Sequence, residues 1–227
     1  MSHDRHQAIA VFDLDKTITR CDTYRVFLRH VLWRHPGRWG RLPWLLLATL
    51  LFLARRRDNG WLKGEFLRHL VGGASRARVR RWIDATVAEL LADWLKPAAL
   101  RELKRHQQEG RPVILATASL DLYVMPLAAG LGIDTVVCTR TDWSEPGVEQ
   151  AAFAGRLTSP NCLAGNKLVA LERHLGRELA DCQAFVYSDH QADVSILSAA
   201  AHPVAVDPTP TLARIARERG WSIVDWR

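Results

Sequence analysis

At 227 residues and 48% hydrophobic composition, the chain is long enough and apolar enough to bury a core, which excludes an intrinsically disordered protein. Its four cysteines, Cys21, Cys138, Cys162 and Cys182, stand far apart without a CxxC pair, which suits a reduced protein. The net charge of +7 is unevenly spread: Arg25 to Trp82 holds fourteen basic residues against Asp58 and Glu65, or +12, and the remainder carries −5.

In chain order, Met1 to Gln7 is polar, with no apolar run behind a basic start, so a cytoplasmic, reduced protein without a signal peptide is expected. Ala8 to Phe12 then forms an apolar run that predicts a buried strand ending at Asp13 and Asp15. Side chains two apart on a strand point the same way, so both carboxylates of Asp13-Leu14-Asp15-Lys16-Thr17 can face one site. One carboxylate can act as a nucleophile and the other as a general acid and base, while a divalent cation keeps the nucleophile ionised. A solvated turn after a strand is the plainer explanation of this string taken alone.

From about Cys21 to Leu95 the pattern is helical, with no convincing strand, and reads as an insertion after the first strand. It holds Trp33, Trp39, Trp44, Trp61 and Trp82, five of the nine tryptophans. A basic, Trp-rich segment suits an anionic partner: a membrane surface, a phosphorylated substrate or nucleic acid. Trp44 to Ala54 is continuously apolar and is flanked by Arg41 and by Arg55-Arg56-Arg57. Eleven residues fall short of the roughly 20 needed to cross a bilayer, which leaves an interfacial helix or a buried one.

Beyond the insertion, helices are predicted over Pro97–Glu109, Leu120–Leu131, Leu163–His174, Val194–Ala201 and Thr209–Arg219. Pro97 and Pro210 suit first-turn positions, and Gly110, Gly176 and Gly220 sit where helices stop. Strands are predicted over Val113–Ala116, ending at Thr117, and Ala184–Tyr187, ending at Ser188 and Asp189. Asp142 to Leu157 reads as a loop or hairpin excursion. Strands alternating with helices argue for an α/β fold, a Rossmann-like parallel sheet with helices on both faces. Ligands bind such sheets beyond the carboxyl ends of the strands, where these polar clusters fall.

Three further clusters carry chemistry. Thr117-Ala118-Ser119 offers a hydroxyl and backbone N–H groups for phosphate oxygens, although many strand ends carry Thr or Ser for capping alone. Lys167, early in a predicted helix, could balance the carboxylates and the transition-state charge, against the commoner role of a surface lysine. Asp189 and Asp193 could complete an oxygen-ligand Mg²⁺ site, with helix capping as the alternative. The histidines show no close metal-ligand spacing.

In these four clusters the sequence resembles the haloacid dehalogenase superfamily, in its phosphoserine-phosphatase-like branch, over nearly the whole chain. Asp13-Leu14-Asp15-Lys16-Thr17 is similar to the first motif and Thr117-Ala118-Ser119 to the second. Lys167 matches the third, and Ser188-Asp189-His190-Gln191-Ala192-Asp193 the fourth, although His190 stands where a small residue is usual. The resemblance implies a core formed by residues 1–20 and 96–227 and a helical cap over 21–95. It implies a Mg²⁺-dependent phosphomonoesterase, with Asp13 as nucleophile and Asp15 as acid and base. Thr117 and Lys167 would bind phosphate, with Leu14, Ala118 and Ser119 lining its cradle. Asp13, Asp189 and the Asp15 carbonyl would hold Mg²⁺, supported by Asp193. Asp15 argues against a true dehalogenase, which has no leaving alcohol to protonate.

Asp22 falls where phosphoserine phosphatases carry a glutamate that reads the substrate's amino group. The Arg- and Trp-rich flanks of Trp44–Ala54 look more like phosphatidylglycerophosphatase C and related lipid-phosphate phosphatases. The expectation is therefore a lipid phosphate substrate and peripheral contact with an anionic membrane, at its inner face, without nucleic acid. Phosphoserine or another small phosphorylated metabolite is the alternative, and an inactive anionic-ligand or membrane-binding module is the alternative of another class.

Overall fold

The computed structural model describes residues 8–34, 36–143 and 152–227. Six parallel strands form one sheet in the order β3-β2-β1-β4-β5-β6: β1 (Ile9–Phe12), β2 (Val113–Leu120), β3 (Thr135–Thr139), β4 (Ala184–Ser188), β5 (His202–Val206) and β6 (Ser222–Val224). In central β1 all four residues are buried, and they alternate in their packing. Ala10 and Phe12 join one apolar cluster while Ile9 and Val11 join the other, as the two-residue repeat of a strand requires.

The first cluster includes α5 (Pro97–Gln108) and α6 (Asp121–Gly130), together with helices that follow β1. Across the sheet, α7 (Gly165–Leu175), α8 (Val194–Ala199) and α9 (Pro210–Glu218) cover the second cluster through Leu171, Ile196, Leu197, Leu212 and Ala216. The expected sheet with helices on both faces is thus present. β1 runs between β2 and β4, where the strand order reverses, and its carboxyl end opens the crevice in which such folds bind ligands.

Between β1 and α5 the described residues are helical: α1 (Thr23–Trp33), a short 3₁₀ segment (Pro36–Arg41), α2 (Leu42–Leu53), α3 (Asn59–Leu70) and α4 (Arg76–Glu89). The apolar stretch from Trp44 lies in α2 and is not a buried helix. Leu45 and Ala48 are enclosed, but Leu46 is 62% and Leu53 67% exposed, and Trp44, Leu47 and Leu50 also face outward. The indole of Trp44 donates to Glu65 Oε2 at 2.9 Å, which seats α2 on α3. No helix among the described residues is long and apolar enough to cross a membrane.

The structure corrects the sequence reading at several edges. β3, β5 and β6 went unpredicted, and β2 does not stop near Thr117 but runs to Leu120, with a register shift against β3 between Thr117 and Leu120. Thr117-Ala118-Ser119 therefore lies on irregular strand rather than at a helix start. Thr141 pairs antiparallel with Leu157, and Asp142 accepts the N–H groups of Ala154 and Arg156, so the ends of the predicted excursion do come together. Its residues 144–151 lie outside the described ones. His30 and His69 pair with Glu89 and Glu65, and His106 is buried against Phe12 and Tyr187.

Candidate active site

Asp13 leaves the end of β1 with its N–H bonded to the Tyr187 carbonyl at 3.0 Å, which fixes it beside the end of β4. The chain then makes one irregular turn over Leu14–Ile18, with Lys16 in the left-handed region at φ 60°. That turn carries Asp15 past the strand end, and α1 begins at its carboxylate. The Thr23 N–H and hydroxyl donate to Asp15 Oδ1 at 2.7 and 2.6 Å, and the Ser119 hydroxyl donates to Oδ2 at 2.8 Å. Three donors fix this side chain, two of them from the first turn of a helix, where anionic groups are favoured.

Lys167, buried in α7, reaches both Asp13 Oδ1 and Asp193 Oδ2 at 2.7 Å. Asp193 Oδ2 also accepts from the Ser188 hydroxyl at 2.7 Å, while its Oδ1 is buried with no hydrogen-bond partner among the described residues. Among the described residues Asp13 Oδ2 has a single long contact, from the Thr17 hydroxyl at 3.4 Å. Sequence positions 13, 167 and 193 thus meet in one cluster at the carboxyl edge of the sheet.

The charges do not balance. Burial pushes Asp13 from its ordinary 3.8 up to about 7; the Lys167 ammonium pulls it down, and the neighbouring Asp193 and Asp15 push it further up. Asp189 is also raised, chiefly by burial. Beyond its own backbone N–H, its carboxylate makes no hydrogen bond or ion pair among the described residues. A buried carboxylate without a partner is costly unless a cation or proton joins it. Asp13 and Asp189 could therefore hold a hard divalent cation. They are oxygen donors, as Mg²⁺ prefers, and Mg²⁺ often takes only one or two carboxylates while keeping its waters. Among the described residues no group of three or more His, Cys, Asp or Glu side chains forms a fuller cage.

This imbalance predicts a pH dependence. With the Asp13 pKa above its unfolded value, the folded state holds more protons than the unfolded chain between about 4 and 7. Asp13 therefore subtracts stability as pH rises through that window, and the full penalty stands above it. In EDTA, Asp13→Asn should melt above the parent at pH 8, and the two should converge near pH 4. A difference constant with pH in thermal melts would contradict the raised value.

The remaining predicted residues are placed as follows. Thr117 is fully buried, its Oγ1 accepting the Ser119 N–H at 3.1 Å. The Ala118 carbonyl accepts from Lys63 Nζ at 2.5 Å and from the Thr139 hydroxyl at 2.8 Å. Leu14 is buried, and its carbonyl accepts the Thr19 N–H and hydroxyl. Asp22 precedes α1, partly exposed and 3.7 Å from Arg25, with its carboxyl raised first by burial and then by Asp15. His190 accepts the Ala192 N–H on Nδ1 and so caps the short turn before α8.

Thr23, Lys63 and Asn161 were not singled out from sequence. Thr23 was open to inference, as the first residue of a helix right after Asp22. Lys63 was not: it lies in α3, and burial lowers its ammonium to about 8. Besides Ala118 it touches Asn161 Oδ1 at 2.9 Å, and Asn161 Nδ2 donates to Asn59 Oδ1 at 3.1 Å. A cavity of about 720 Å³, walled by α3 residues that include Trp61 and Arg68 and by Arg156, Leu157 and Asn161, lies alongside this bridge.

Residues 10–198 match the family described as haloacid dehalogenase-like hydrolase. Protein CicA of Caulobacter vibrioides is 30% identical over 196 residues, covering 86% of this chain and 84% of its own. Phosphoserine phosphatase SerB1 of Mycobacterium tuberculosis is 29% identical over 226 residues, covering 97% of this chain and 71% of its own. A crystal structure of a Bordetella pertussis Tohama I protein of unknown function superimposes with a TM-score of 0.82 at 21% identity, covering 98% of this chain and all of that one. With two strand-end carboxylates, a buried lysine and a family match across most of its length, the chain belongs to the haloacid dehalogenase-like hydrolases and is a phosphatase.

Proposed function

We propose that the protein hydrolyses phosphomonoesters through an aspartyl-phosphate on Asp13, with Mg²⁺, and that its substrate is a lipid phosphate. The observation that carries the chemistry is the pairing of Asp13 with Lys167, beside Asp15 held by Thr23 and Ser119. Asp13 attacks phosphorus in line as the ester P–O bond breaks, and Asp15 gives its proton to the departing oxygen. Asp15 then takes a proton from water, which attacks the same phosphorus, releasing phosphate and restoring Asp13. Lys167 and Thr117 hold the phosphoryl oxygens, and Leu14, Ala118 and Ser119 shape the cradle around them. Mg²⁺, held by Asp13, Asp189 and the Asp15 carbonyl and supported by Asp193, would neutralise phosphoryl charge and allow two anions to approach.

The lipid assignment rests on α2. An outward row of Leu46, Leu47, Leu50 and Leu53 runs into a concavity of about 580 Å³ lined by Phe52, Leu53, Arg55, Arg56 and Arg57, with Asp58. Trp39 and Trp44 are exposed at the other end. Apolar residues flanked by tryptophan and arginine match an anionic bilayer surface, with the apolar face at the acyl boundary and the guanidinium groups among phosphates. In this arrangement residues 21–95 act as a helical cap over the core of residues 1–20 and 96–227, and the protein is peripheral to the inner membrane face. The phosphoserine alternative is favoured by Asp22 beside Asp15, where an amino group would be attracted.

Vesicle binding and turnover test the proposal together. The protein should sediment with phosphatidylglycerol vesicles, but not with phosphatidylcholine, and should prefer phosphatidylglycerophosphate over phosphoserine. Replacing Arg55, Arg56 and Arg57 by Ala should remove about 3 kcal/mol, on the order of a hundredfold in vesicle affinity, with soluble-ester turnover retained. A preference for phosphoserine without vesicle binding would sink the lipid assignment and leave the phosphatase reading intact.

A further inference from the structure

Asp15 is followed by a residue whose backbone is costly to hold. Lys16 is one of four non-glycine residues, among those described, with positive φ; Asp207, at φ 42°, is another. A left-handed conformation outside glycine persists only where its surroundings determine it. One side chain joins these two positions. Lys96, 4% exposed, donates from Nζ to the Lys16 carbonyl and to Asp207 Oδ2, the latter at 2.7 Å.

Both ends of this link are anchored. The Lys96 N–H donates to the Ile18 carbonyl at 2.9 Å, and the Arg20 N–H donates to the Trp94 carbonyl at 2.8 Å, so the turn is clasped on its far side too. Asp207 N–H donates to the Val224 carbonyl, and Oδ1 accepts the Trp226 N–H at 2.9 Å. The Trp226 ring stacks on Tyr187, which stacks on Phe12, the residue before Asp13. Asp207 is thereby fixed in the same frame as the nucleophile. A buried ammonium with a full carboxylate partner is a strong, directional donor. Here its second acceptor is the carbonyl next in sequence to Asp15.

We propose that Lys96 is a positioning residue: fixed by Asp207, it holds the Lys16 carbonyl and so sets the aim of the Asp15 carboxyl at the leaving oxygen. Without it the left-handed turn at Lys16 keeps the longer bond from the Lys16 N–H to the Cys21 carbonyl, at 3.3 Å, but loses its buried donor, and Asp15 shifts in its alignment with Thr23 and Ser119. This inference rests on Asp15 being the proton donor, and the experiment separates the two claims.

The parent, Lys96→Met, Asp207→Asn and Asp15→Asn proteins are compared by kcat/KM, with Mg²⁺, on p-nitrophenyl phosphate and phenyl phosphate. The two esters are close in size, but nitrophenolate departs readily without a proton while phenolate needs one. Asp15→Asn should lose more on phenyl phosphate, and Lys96→Met should reproduce that selectivity, with a loss about tenfold larger on phenyl phosphate than on the nitro ester. Asp207→Asn should lean the same way by a smaller factor. A structural clamp alone would lower both esters equally. Equal losses in Lys96→Met while Asp15→Asn discriminates would overturn the positioning role; equal losses in Asp15→Asn would overturn the proton-donor reading and this inference with it. Should Lys96→Met fail to fold, Asp207→Asn decides by the same ratio, and an unchanged ratio overturns the proposal.

Discussion

Asp13→Asn is expected to lower kcat on p-nitrophenyl phosphate by about 10⁴-fold or more while leaving the fold in place, because the amide keeps the shape of the side chain but lacks its nucleophilic charge. The surroundings of Asp13 favour so large an effect. Its Oδ1 is committed to Lys167, its Oδ2 has among the described residues only the 3.4 Å contact from Thr17, and neither Asp15, tied to Thr23 and Ser119, nor Asp193, tied to Lys167 and Ser188, is free to replace it. Phosphate release measured with Mg²⁺ checks the prediction, and mass spectrometry of acid-quenched protein adds a second reading. The parent should carry a fraction of phosphorylated chain that the variant lacks. Equal rates for the two proteins would remove Asp13 from the mechanism.

Lys167→Met should cost both activity and stability. Lys167 balances two buried carboxylates, and removing one partner of such an arrangement costs about 3–5 kcal/mol because the remaining charges are stranded. In a chain of this length that corresponds to a fall in melting temperature of about 10 °C at neutral pH. The deficit should shrink toward pH 5, where Asp13, its carboxyl already raised by burial to about 7, can take up a proton instead. Turnover should fall by at least about 10²-fold, since a group expected to stabilise phosphoryl charge is gone. Calorimetry across pH, beside steady-state kinetics, checks both parts. A variant that melts like the parent at pH 8 would mean that Lys167 does not neutralise the pair.

Much of the site was legible in the sequence because its parts are local. Asp13, Thr117 and Ser188-Asp189 each end an apolar run, Lys167 opens a helix, and a parallel sheet brings such ends to one edge. What escaped had weak local signals. β6 is three residues long with Ser222 and Ile223 exposed, and β5 opens on exposed His202. β3 begins and ends on Thr, and the irregular end of β2 read as the start of a helix. Thr23 is eight residues from Asp15, but Lys63 and Lys96 reach their partners across 55 and 80 residues. No periodicity records such contacts. α2 shows a subtler loss: its composition gave apolarity and flanking charge, and only the packing of Leu45 and Ala48 revealed which side faces out.

Lys63 ties the outer helices to the end of β2. It spans from α3 to the Ala118 carbonyl, and α3 in turn bears α2 through Glu65 and Trp44. The outward leucines of α2 are thus joined, through two hydrogen bonds and one helix, to the Ala118 carbonyl, in the segment proposed to cradle phosphate. The outer helices and the end of β2 therefore share one frame, so a partner seated on α2 and an ester held near Ala118 would press on the same scaffold.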